Sequence, residues 1–351
     1  MELFGLVLAG GIGSRLWPLS TKAKPKQFVD VLGCGKSLIQ LTHSRLSKFI
    51  PEQQICYLTN SDYTSQLANQ LNISNKALIF EEPCMRNTAP ALALASYKLY
   101  KQNPDANLLV CPSDQLINKP EVFEKACRTA FDFVENNDAL VTFGVQPNHP
   151  NTGYGYIQFD EQKSDVKSVK RFTEKPDLET ANRFLNSGDY LWNAGIFVWK
   201  ASYFVSLIRK FMPEMAQIFD DNLEALNTEK ETEFLDKYYA TFPKISIDFA
   251  LLEKADSIHV IPVDMDWDDL GSFQSISERA EKTAQDNIVI GKSQVTEIES
   301  TNSFVFNETT GDVLLYGVDD IAVLRANGKL VICSKTKLSE LKATAQKHKL
   351  V

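Results

Sequence analysis

The fold is decided near the amino terminus by Leu-Phe-Gly-Leu-Val-Leu-Ala at residues 3–9, followed at once by Gly-Gly-Ile-Gly at residues 10–13. A short apolar run closed by glycines is typical of a buried parallel strand that enters a tight loop. Similar short apolar runs recur at residues 55–59, 77–80, 108–111 and 140–144, and helical patterns separate them at residues 37–49, 61–71, 88–101 and 122–136. This alternation predicts βαβ units and a Rossmann-like, mostly parallel sheet of the α/β class.

The pattern changes twice further along the chain. After Pro147 we predict strands at residues 154–159 and 166–173 and helices at residues 178–186 and 202–225. From Asn287 onward, turn residues such as Asn327-Gly328 separate short strand patterns at 288–290, 304–306, 313–316, 321–325 and 330–333, and a helix is predicted at 338–349. The sequence therefore predicts a large α/β domain over residues 1–286 and a small all-β domain over residues 287–351.

The composition of the 351-residue chain excludes several classes of protein. Its net charge is −8, with no long block of like charge, which argues against a surface for nucleic acid or for an anionic membrane. No apolar stretch approaches the roughly 20 residues that span a bilayer, and the amino terminus lacks the basic region of a secretory signal. We therefore expect a cytoplasmic location. The six cysteines form no Cys-x-x-Cys pair, which argues against a zinc site.

Phosphate binding is predicted at the loop that follows the first strand. Its three glycines let backbone N–H groups approach an anion closely, and the nearby Arg15 and Lys26 add positive charge. Such an arrangement suits a triphosphate. The residues that we expect to contact a nucleotide in this loop are Leu8, Ala9, Gly10, Gly11, Gly13 and Ser14.

Two other phosphate-binding motifs fit this sequence less well. A dinucleotide-binding fingerprint read from Gly11 needs a small residue where the chain has Leu16, which disfavours a dehydrogenase. Gly-Lys-Ser at residues 35–37 resembles the end of a P-loop, but the first glycine of that motif would fall at Asp30. We interpret residues 33–37 as a turn that caps the next helix.

Residues 8–19, together with Lys-Pro-Lys-Gln-Phe at residues 24–28, resemble the signature of the sugar-1-phosphate nucleotidylyltransferases. The Pro-Lys-Gln-Phe variant is similar to that of the mannose-1-phosphate guanylyltransferases within this family. Further stretches resemble the same family in the same order, at residues 82–91, 112–115, 152–157, 172–176, 192–197, 246–250 and 267–272. The resemblance therefore covers nearly the whole chain.

The resemblance implies transfer of GMP from GTP to α-D-mannose 1-phosphate, which gives GDP-mannose and pyrophosphate by Mg²⁺-assisted in-line displacement without a covalent enzyme intermediate. Such a reaction brings several negative charges together, so the site must supply cations. A phosphate monoester, whose second pKa is about 6, is already largely ionised at neutral pH and needs no strong base. We expect Arg15 and Lys26 to hold the triphosphate and Lys175 to hold the attacking phosphate.

Two carboxylates are expected to bind the Mg²⁺ ion. Asp114 follows the predicted strand at residues 108–111, and Asp269 lies in a turn of one of the matching motifs. Hard oxygen ligands from separate parts of the chain, completed by phosphates and water, are typical of Mg²⁺ sites. Asp266 and Asp268 lie beside the same tryptophan as Asp269 and remain alternative ligands.

The resemblance also implies residues that hold the sugar phosphate and the purine. For the sugar phosphate these are Gly155, Glu174, Lys175 and Asn193. For the nucleotide they are Glu82, Pro83, Asn87, Thr88 and Asp114. Guanine needs an acceptor for its N1–H and N2–H₂ groups, which the carboxylate of Glu81 or Glu82 or the backbone of this turn can supply. Thr88 is equally well explained as the N-cap of the following helix.

The segment from Asn287 resembles the partial β-helix that follows the catalytic domain in these enzymes, and its exposed strand edges favour a homodimer. Some relatives carry a further isomerase domain, and we expect that activity to be absent here because the sequence ends at Val351. Two alternative functions remain at this point. One is a nucleotidylyltransferase for another nucleoside triphosphate or hexose 1-phosphate, and the other is a protein that binds a nucleotide sugar without turnover.

Overall fold

A computed structural model describes residues 2–161 and 163–350 of the chain. The chain divides into two compact units, and the first comprises residues 1–10, 43–112 and 117–267. The second unit comprises residues 11–42, 113–116 and 268–351. No helix in the described residues is long and apolar enough to cross a membrane.

The strands of the described residues are β1 (Leu3–Leu8), β2 (Ile55–Asn60), β3 (Ile79–Glu82), β4 (Asn107–Pro112), β5 (Leu116–Ile117), β6 (Leu140–Val145), β7 (Tyr156–Phe159), β8 (Lys167–Thr173), β9 (Tyr190–Lys200), β10 (Ile258–Pro262), β11 (Trp267–Asp268), β12 (Ile288–Gly291), β13 (Val295–Ile298), β14 (Phe304–Asn307), β15 (Val313–Tyr316), β16 (Ile321–Ala326) and β17 (Lys329–Ser334). The helices are α1 (Leu38–Leu46), α2 (Thr64–Leu71), α3 (Thr88–Gln102), α4 (Pro120–Asn136), α5 (Leu178–Ser187), α6 (Ala201–Phe211), α7 (Pro213–Asp221), α8 (Glu231–Tyr238), α9 (Phe273–Arg279) and α10 (Leu341–Lys347).

A nine-stranded sheet in the order β3-β2-β1-β4-β9-β6-β10-β8-β7 forms the centre of the first unit. β1 pairs in parallel with both β2 and β4, so that Leu6 lies between Cys56 and Val110. β9 is antiparallel to β4 and β6, and β8 is antiparallel to β7 and β10. The predicted α/β class is confirmed, with two antiparallel strands within an otherwise parallel sheet.

The first unit packs helices against this sheet through large apolar side chains. Helix α3 is buried along most of its length, which explains why its sequence is apolar on every face. Trp199 of β9 stacks on Phe204 of α6 with ring centroids 4.2 Å apart. Tyr97 of α3 stacks on Phe219 of α7 at 4.8 Å. Aromatic stacking of this kind holds α6 against β9 and α7 against α3.

The second unit contains parallel strands that repeat along the chain as in a β-helix. β12, β14 and β16 pair in parallel, with Ile288 beside Phe304 and Phe304 beside Ala322. β13 and β15 form a second parallel pair, and β17 closes the larger sheet in the antiparallel direction. The predicted all-β character of this segment is confirmed. β13 was not predicted because its apolar residues, Val295 and Ile298, lie on a strand with no fully buried position.

The two compact units divide the chain differently from the domains predicted on either side of residues 286 and 287, and that domain boundary stays a prediction. Leu16 and Leu19, next to the glycine loop, share one buried apolar cluster with Leu270, Phe273 and the strands of the β-helix-like segment. Packing between residues so far apart along the chain leaves no local signal in composition or spacing. The glycine loop and residues 268–286 therefore belong to the second unit.

Two predicted helices are corrected by the structure. Residues 202–225 form two helices, because Pro213 lacks an N–H group to continue α6 and instead begins α7. The predicted helix at 338–349 is a 3₁₀ segment at Lys335–Glu340 followed by α10. The helices predicted at residues 37–49 and 61–71 are shorter, as α1 and α2.

Gly291→Ala is expected to destabilise the second unit strongly. A Cβ at Gly291, where φ is +134°, would lie 1.9 Å from the carbonyl oxygen of Asn307. We expect the free energy of unfolding to fall by about 3 kcal/mol, against about 1 kcal/mol for Gly317→Ala, whose φ is also positive but whose Cβ would meet no atom. Urea unfolding of both variants measures this difference, and equal losses would contradict the contact described here.

Candidate functional site

The first unit positions the start of the glycine loop at the carboxyl end of β1. Ala9 is fully buried, and its N–H donates to the carbonyl oxygen of Leu58 at 2.8 Å. Its own carbonyl oxygen accepts from Oγ1 of Thr59 at 3.1 Å. Leu8 and Ala9, both expected to contact nucleotide, are thus fixed by the neighbouring strand β2. A Cβ at Gly10 would lie 3.4 Å from Oε2 of Glu82, so a glycine leaves room beside that carboxyl group.

The second unit carries the rest of the loop, where Gly13 has a conformation that favours glycine. Its φ is +61°, and a Cβ there would lie 2.4 Å from Cβ of Lys26. The carbonyl oxygen of Gly13 accepts from Oγ of Ser20 at 2.5 Å, and that of Gly11 accepts from Nε2 of Gln27 at 2.9 Å. The loop is therefore held through its carbonyl groups.

The N–H groups of this loop remain available to a ligand. Within the described part of the chain, no protein acceptor lies within hydrogen-bond distance of the N–H groups of Gly11, Ile12 and Gly13. Successive N–H groups without protein partners form a concavity suited to an anion. This geometry agrees with the predicted role of the glycines in binding phosphate.

Lys26 is a buried cation beneath the loop, with 3% of its surface exposed. Its Nζ lies 3.0 Å from Oδ2 of Asp114 and donates to the backbone carbonyl oxygen of Asp269 at 2.6 Å. A buried ammonium is stable only where such partners replace water. The structure thus brings together Lys26, Asp114 and Asp269, three residues that were expected to share one site.

The Asp269 carboxyl group lies in a strongly charged environment. Burial raises its pKa, and the negative charge of Asp114 acts in the same direction, whereas Lys26 and Arg15 lower it. A Cβ at Gly271 would lie 2.5 Å from Oδ2 of Asp269 and 3.5 Å from Nη1 of Arg15, so the aspartate and the arginine converge on one point. Arg15 itself is exposed, which leaves its guanidinium group accessible to a ligand.

The donor set at Asp114 and Asp269 fits a divalent cation. Two nearby carboxylates repel each other and gain stability when a metal ion neutralises their charge. In the described residues, no group of three or more His, Cys, Asp or Glu side chains is placed to hold a metal. Mg²⁺ commonly binds one or two carboxylates and takes its remaining ligands from phosphates and water, so this pair suffices.

Hydrogen bonding distinguishes Asp269 from the two alternative ligands. Oδ1 of Asp268 accepts from the N–H of Leu270 at 2.7 Å and from Ser275, and its Oδ2 pairs with Nε of Arg279 at 3.1 Å. Asp266 lies in the first unit, where its Oδ2 accepts from Nδ2 of Asn118 at 2.9 Å. Both alternative carboxylates are therefore bound by other parts of the protein.

Glu82 is a buried carboxyl group at the end of β3. Its Oε1 accepts from the hydroxyl group of Tyr239 at 2.5 Å, while its Oε2 faces Gly10. Burial raises the pKa of Glu82 to about 7, although the hydrogen bond from Tyr239 acts to lower it. Glu81, the other candidate for guanine recognition, is exposed. Tyr239 lies outside every matching motif, so sequence analysis did not identify it.

The turn between Glu82 and α3 is closed by Asn87. Its Oδ1 accepts from the N–H of Thr88 at 2.8 Å, so Asn87 and not Thr88 caps the helix. The hydroxyl oxygen of Thr88 accepts from the N–H of Ile247 at 2.8 Å, which ties the turn to the segment before residue 248. Pro83 is exposed on the outside of this turn.

Glu174 and Lys175 form an ion pair at the end of β8. The Glu174 side chain is 8% exposed, whereas that of Lys175 is 57% exposed. The backbone of Lys175 has a φ of +46°. A Cβ at Gly155 would lie 2.7 Å from Oε2 of Glu174, so a glycine is required for this carboxylate to approach. Gly155, Glu174 and Lys175 are therefore brought together as the resemblance implied.

Asn193 of β9 completes this group through a network of hydrogen bonds. Its N–H donates to the carbonyl oxygen of Gly155 at 2.8 Å. Its Oδ1 accepts from Oγ1 of Thr142 at 2.9 Å and from the N–H of Gly195 at 3.1 Å. Its Nδ2 donates to Oδ1 of Asp248 at 3.4 Å. The amide is therefore oriented by the protein with one N–H left to donate.

Asp248 is a site residue that sequence analysis did not single out. Burial and the negative charge of Glu174 raise its pKa to about 6, although the positive charge of Lys175 acts to lower it. The sequence signal that could have identified Asp248 is the presence of an acid in the matching motif at residues 246–250. The first unit thus places two acids, Glu174 and Asp248, around Asn193 and Lys175.

Comparison with known proteins agrees with this geometry. The model of the family described as Nucleotidyl transferase matches residues 4–286. Mannose-1-phosphate guanylyltransferase 2 of Escherichia coli O157:H7 is 34% identical over 367 residues, which cover 99% of this chain and 74% of that protein. Mannose-1-phosphate guanylyltransferase of Escherichia coli K12 is 33% identical over 358 residues, with the same coverage.

A solved structure leads to the same assignment. It is described as a mannose-1-phosphate geranyltransferase from Thermus thermophilus and superposes with a TM-score of 0.88 at 27% sequence identity. The superposition covers 99% of this chain and 100% of that one. The resemblance inferred from the sequence motifs is confirmed, and the chain belongs to the nucleotidyl transferase family.

Proposed function

We propose that this chain transfers GMP from GTP to α-D-mannose 1-phosphate and releases pyrophosphate, which makes it a GTP-dependent enzyme of GDP-mannose synthesis. The observation that carries the proposal is the buried Lys26, in contact with Asp114 and Asp269, beneath a glycine loop whose N–H groups have no protein acceptor in the described part of the chain. The similarity to relatives named mannose-1-phosphate guanylyltransferase supports the choice of nucleotide and sugar.

The proposed reaction is a single in-line displacement at the α-phosphorus of GTP. A phosphate oxygen of mannose 1-phosphate forms the new P–O bond as the bond between the α-phosphorus and the bridging oxygen breaks, and that oxygen leaves with pyrophosphate. Arg15, Lys26 and the N–H groups of Gly11 and Gly13 bind the triphosphate. They stabilise the charge that accumulates on the departing pyrophosphate.

Asp114 and Asp269 are the residues that would hold Mg²⁺ in this reaction. When bound, the metal ion neutralises negative charge on the phosphates that must approach each other. Lys26 positions both residues, because its Nζ contacts the side chain of Asp114 and the backbone of Asp269. The protein thereby fixes the separation of the two carboxylates before substrate binds.

Glu82 is proposed to select guanine. Oε1 is occupied by Tyr239, and Oε2 faces Gly10, which has no side chain. An ionised carboxylate accepts from the N1–H and N2–H₂ groups of guanine, whereas adenine presents an unprotonated ring nitrogen at the corresponding place. The buried carboxyl group therefore favours GTP over ATP.

Lys175 is proposed to bind the phosphate of the sugar substrate. Glu174 and Asp248, the acids around it, are proposed to bind the sugar hydroxyl groups. The ammonium group of Lys175 is exposed and paired only with Glu174 among the described residues. Glu174 and Asp248 are acceptors, and the remaining N–H of Asn193 is a donor, which matches the mixed donor and acceptor character of hydroxyl groups. Gly155 keeps the approach to Glu174 open.

The direct test is pyrophosphate release from purified protein with Mg²⁺ and mannose 1-phosphate, using GTP, ATP, UTP and dTTP in parallel. We expect release with GTP to exceed release with each of the others by at least about 100-fold in kcat/KM, since unmatched polar groups in a binding site are costly. Preference for another triphosphate would contradict the guanine assignment. No release with any of them would favour a binding protein without turnover.

Substitutions of the aspartates are the matched controls for this test. Asp114→Asn and Asp269→Asn are each expected to lower kcat by roughly 100-fold or more, because each removes an ionised ligand of the metal. Asp266→Asn is expected to retain most of its activity, since Asp266 bonds to Asn118. A larger loss in Asp266→Asn than in Asp269→Asn would reverse the assignment of the metal ligand.

The Glu82 carboxyl group predicts a pH dependence of base selectivity. Its pKa of about 7 means that it is mostly protonated at pH 6 and mostly ionised at pH 8. Only the ionised form accepts from both donor groups of guanine, so the affinity for GTP relative to ATP should rise roughly tenfold between these pH values. Because GTP and ATP carry the same triphosphate group, its own titration changes both affinities alike and cancels in their ratio.

Glu82→Gln is the control for the pH experiment. The variant keeps the size of the side chain and an acceptor for Tyr239 but has no titratable group, so we expect a lower and pH-independent ratio. Dissociation constants of GTP and ATP, measured by calorimetry from pH 6 to pH 8 for both proteins, test whether Glu82 causes the pH dependence. A wild-type ratio that does not change with pH would exclude Glu82 as the guanine acceptor.

We also propose that the protein is a homodimer that associates through the strands of the second unit. β17 lies at the edge of its sheet, and its Leu330 and Ile332 are 53% and 64% exposed. An open strand edge with apolar side chains favours pairing with another chain. Light scattering is expected to give twice the mass of one chain, and Ile332→Lys to shift the protein toward monomer. A monomeric wild-type protein would contradict the proposal.

A further inference from the structure

Lys342 lies on α10, far from every motif that the function uses, yet it contacts the glycine loop. Its Nζ donates to Oγ of Ser14 at 2.7 Å, across 328 positions of the chain. Ser14 begins the short 3₁₀ turn at Ser14–Leu16, directly after Gly13. Both residues belong to the second unit. The last helix of the chain therefore brings an ammonium group to the phosphate-binding loop.

The bonding of Lys342 leaves donors for a ligand. An ammonium group has three N–H donors, and Ser14 accepts one of them. No carboxylate lies within ion-pair distance of Lys342 in the described ranges, although the side chain is half-buried. A half-buried ammonium without a counter-ion is costly unless an anion approaches it. The adjacent N–H groups of the loop also lack protein acceptors.

The other two cations near the loop are already opposed by carboxylates. Lys26 pairs with Asp114, and the positive charge of Arg15 acts on Asp269. Of these three cations, Lys342 is the one with no opposing carboxylate among the described residues, so its charge is available to phosphate oxygens. Such a charge stabilises the reaction most where negative charge increases, which in a nucleotidyl transfer is the departing pyrophosphate.

We propose that Lys342 binds the terminal phosphates of GTP, the part that leaves as pyrophosphate, so that α10 contributes a substrate-binding residue to the site. This inference rests on the proposed function for the identity of the nucleotide. A helix that only supported the loop would need an apolar contact or a neutral hydrogen bond, and the charge would have no role. If Lys342 binds the terminal phosphates, removing its charge weakens only ligands that have those phosphates. If it only supports the loop, the loss does not depend on them.

The test compares binding of inorganic pyrophosphate and of GDP-mannose to the full chain by calorimetry with Mg²⁺. Lys342→Met keeps the length of the side chain but removes its charge, and we expect it to weaken pyrophosphate binding by at least about tenfold. GDP-mannose has no terminal phosphates of this kind, so its affinity should stay within about twofold. Lys342→Arg should recover most of the pyrophosphate affinity.

A matched variant separates the local charge from the net charge of the helix. Lys347→Met removes a charge from the exposed end of the same helix and should leave both affinities unchanged. Unchanged pyrophosphate binding in Lys342→Met, or an equal loss for GDP-mannose, would overturn the proposal. A wild-type chain that binds pyrophosphate but uses no GTP would overturn the proposed function alone.

Discussion

The buried ammonium group of Lys26 is the interaction on which the site depends. It joins three segments that are distant along the chain: the loop after β1, the turn after β4 and the turn that carries Asp269. Without it, two neighbouring carboxylates would lie close together without this compensating charge, which is unfavourable. The same contact requires Gly13, because a Cβ at that position would lie 2.4 Å from Cβ of Lys26.

Among the described residues, three aspartate and glutamate side chains carry raised pKa values, and each of them is proposed to bind a ligand. Asp269 lies beside Asp114, Glu82 lies beside Gly10, and Asp248 lies beside Asn193. Burial is the main cause in each case, and a buried acid without a matching cation is costly for folding. Such groups are concentrated where a protein binds a ligand that supplies the missing charge or donors. The guanine, the sugar hydroxyl groups and the metal ion are the ligands proposed for them.

The sequence predicted the fold because its signals are local, and the site residues that it indicates stay predictions. The apolar run of β1 and the glycines after it indicate a strand and an anion-binding loop within eleven residues, 3–13. The choice between Asp268 and Asp269 was not open to sequence analysis, because it depends on hydrogen bonds to Ser275 and Arg279. Lys342 and the division into two units depend on long-range packing, which leaves no pattern in the sequence.

A crystal structure of the chain with Mg²⁺ and a GTP analogue that resists transfer tests the central claim most directly. We predict a metal ion about 2.0–2.1 Å from carboxylate oxygens of both Asp114 and Asp269, with phosphate oxygens as further ligands. We also predict the triphosphate against the N–H groups of Gly11 and Gly13. A metal ion bound by Asp266 or Asp268 in place of Asp269, or a triphosphate bound away from this loop, would contradict the central claim.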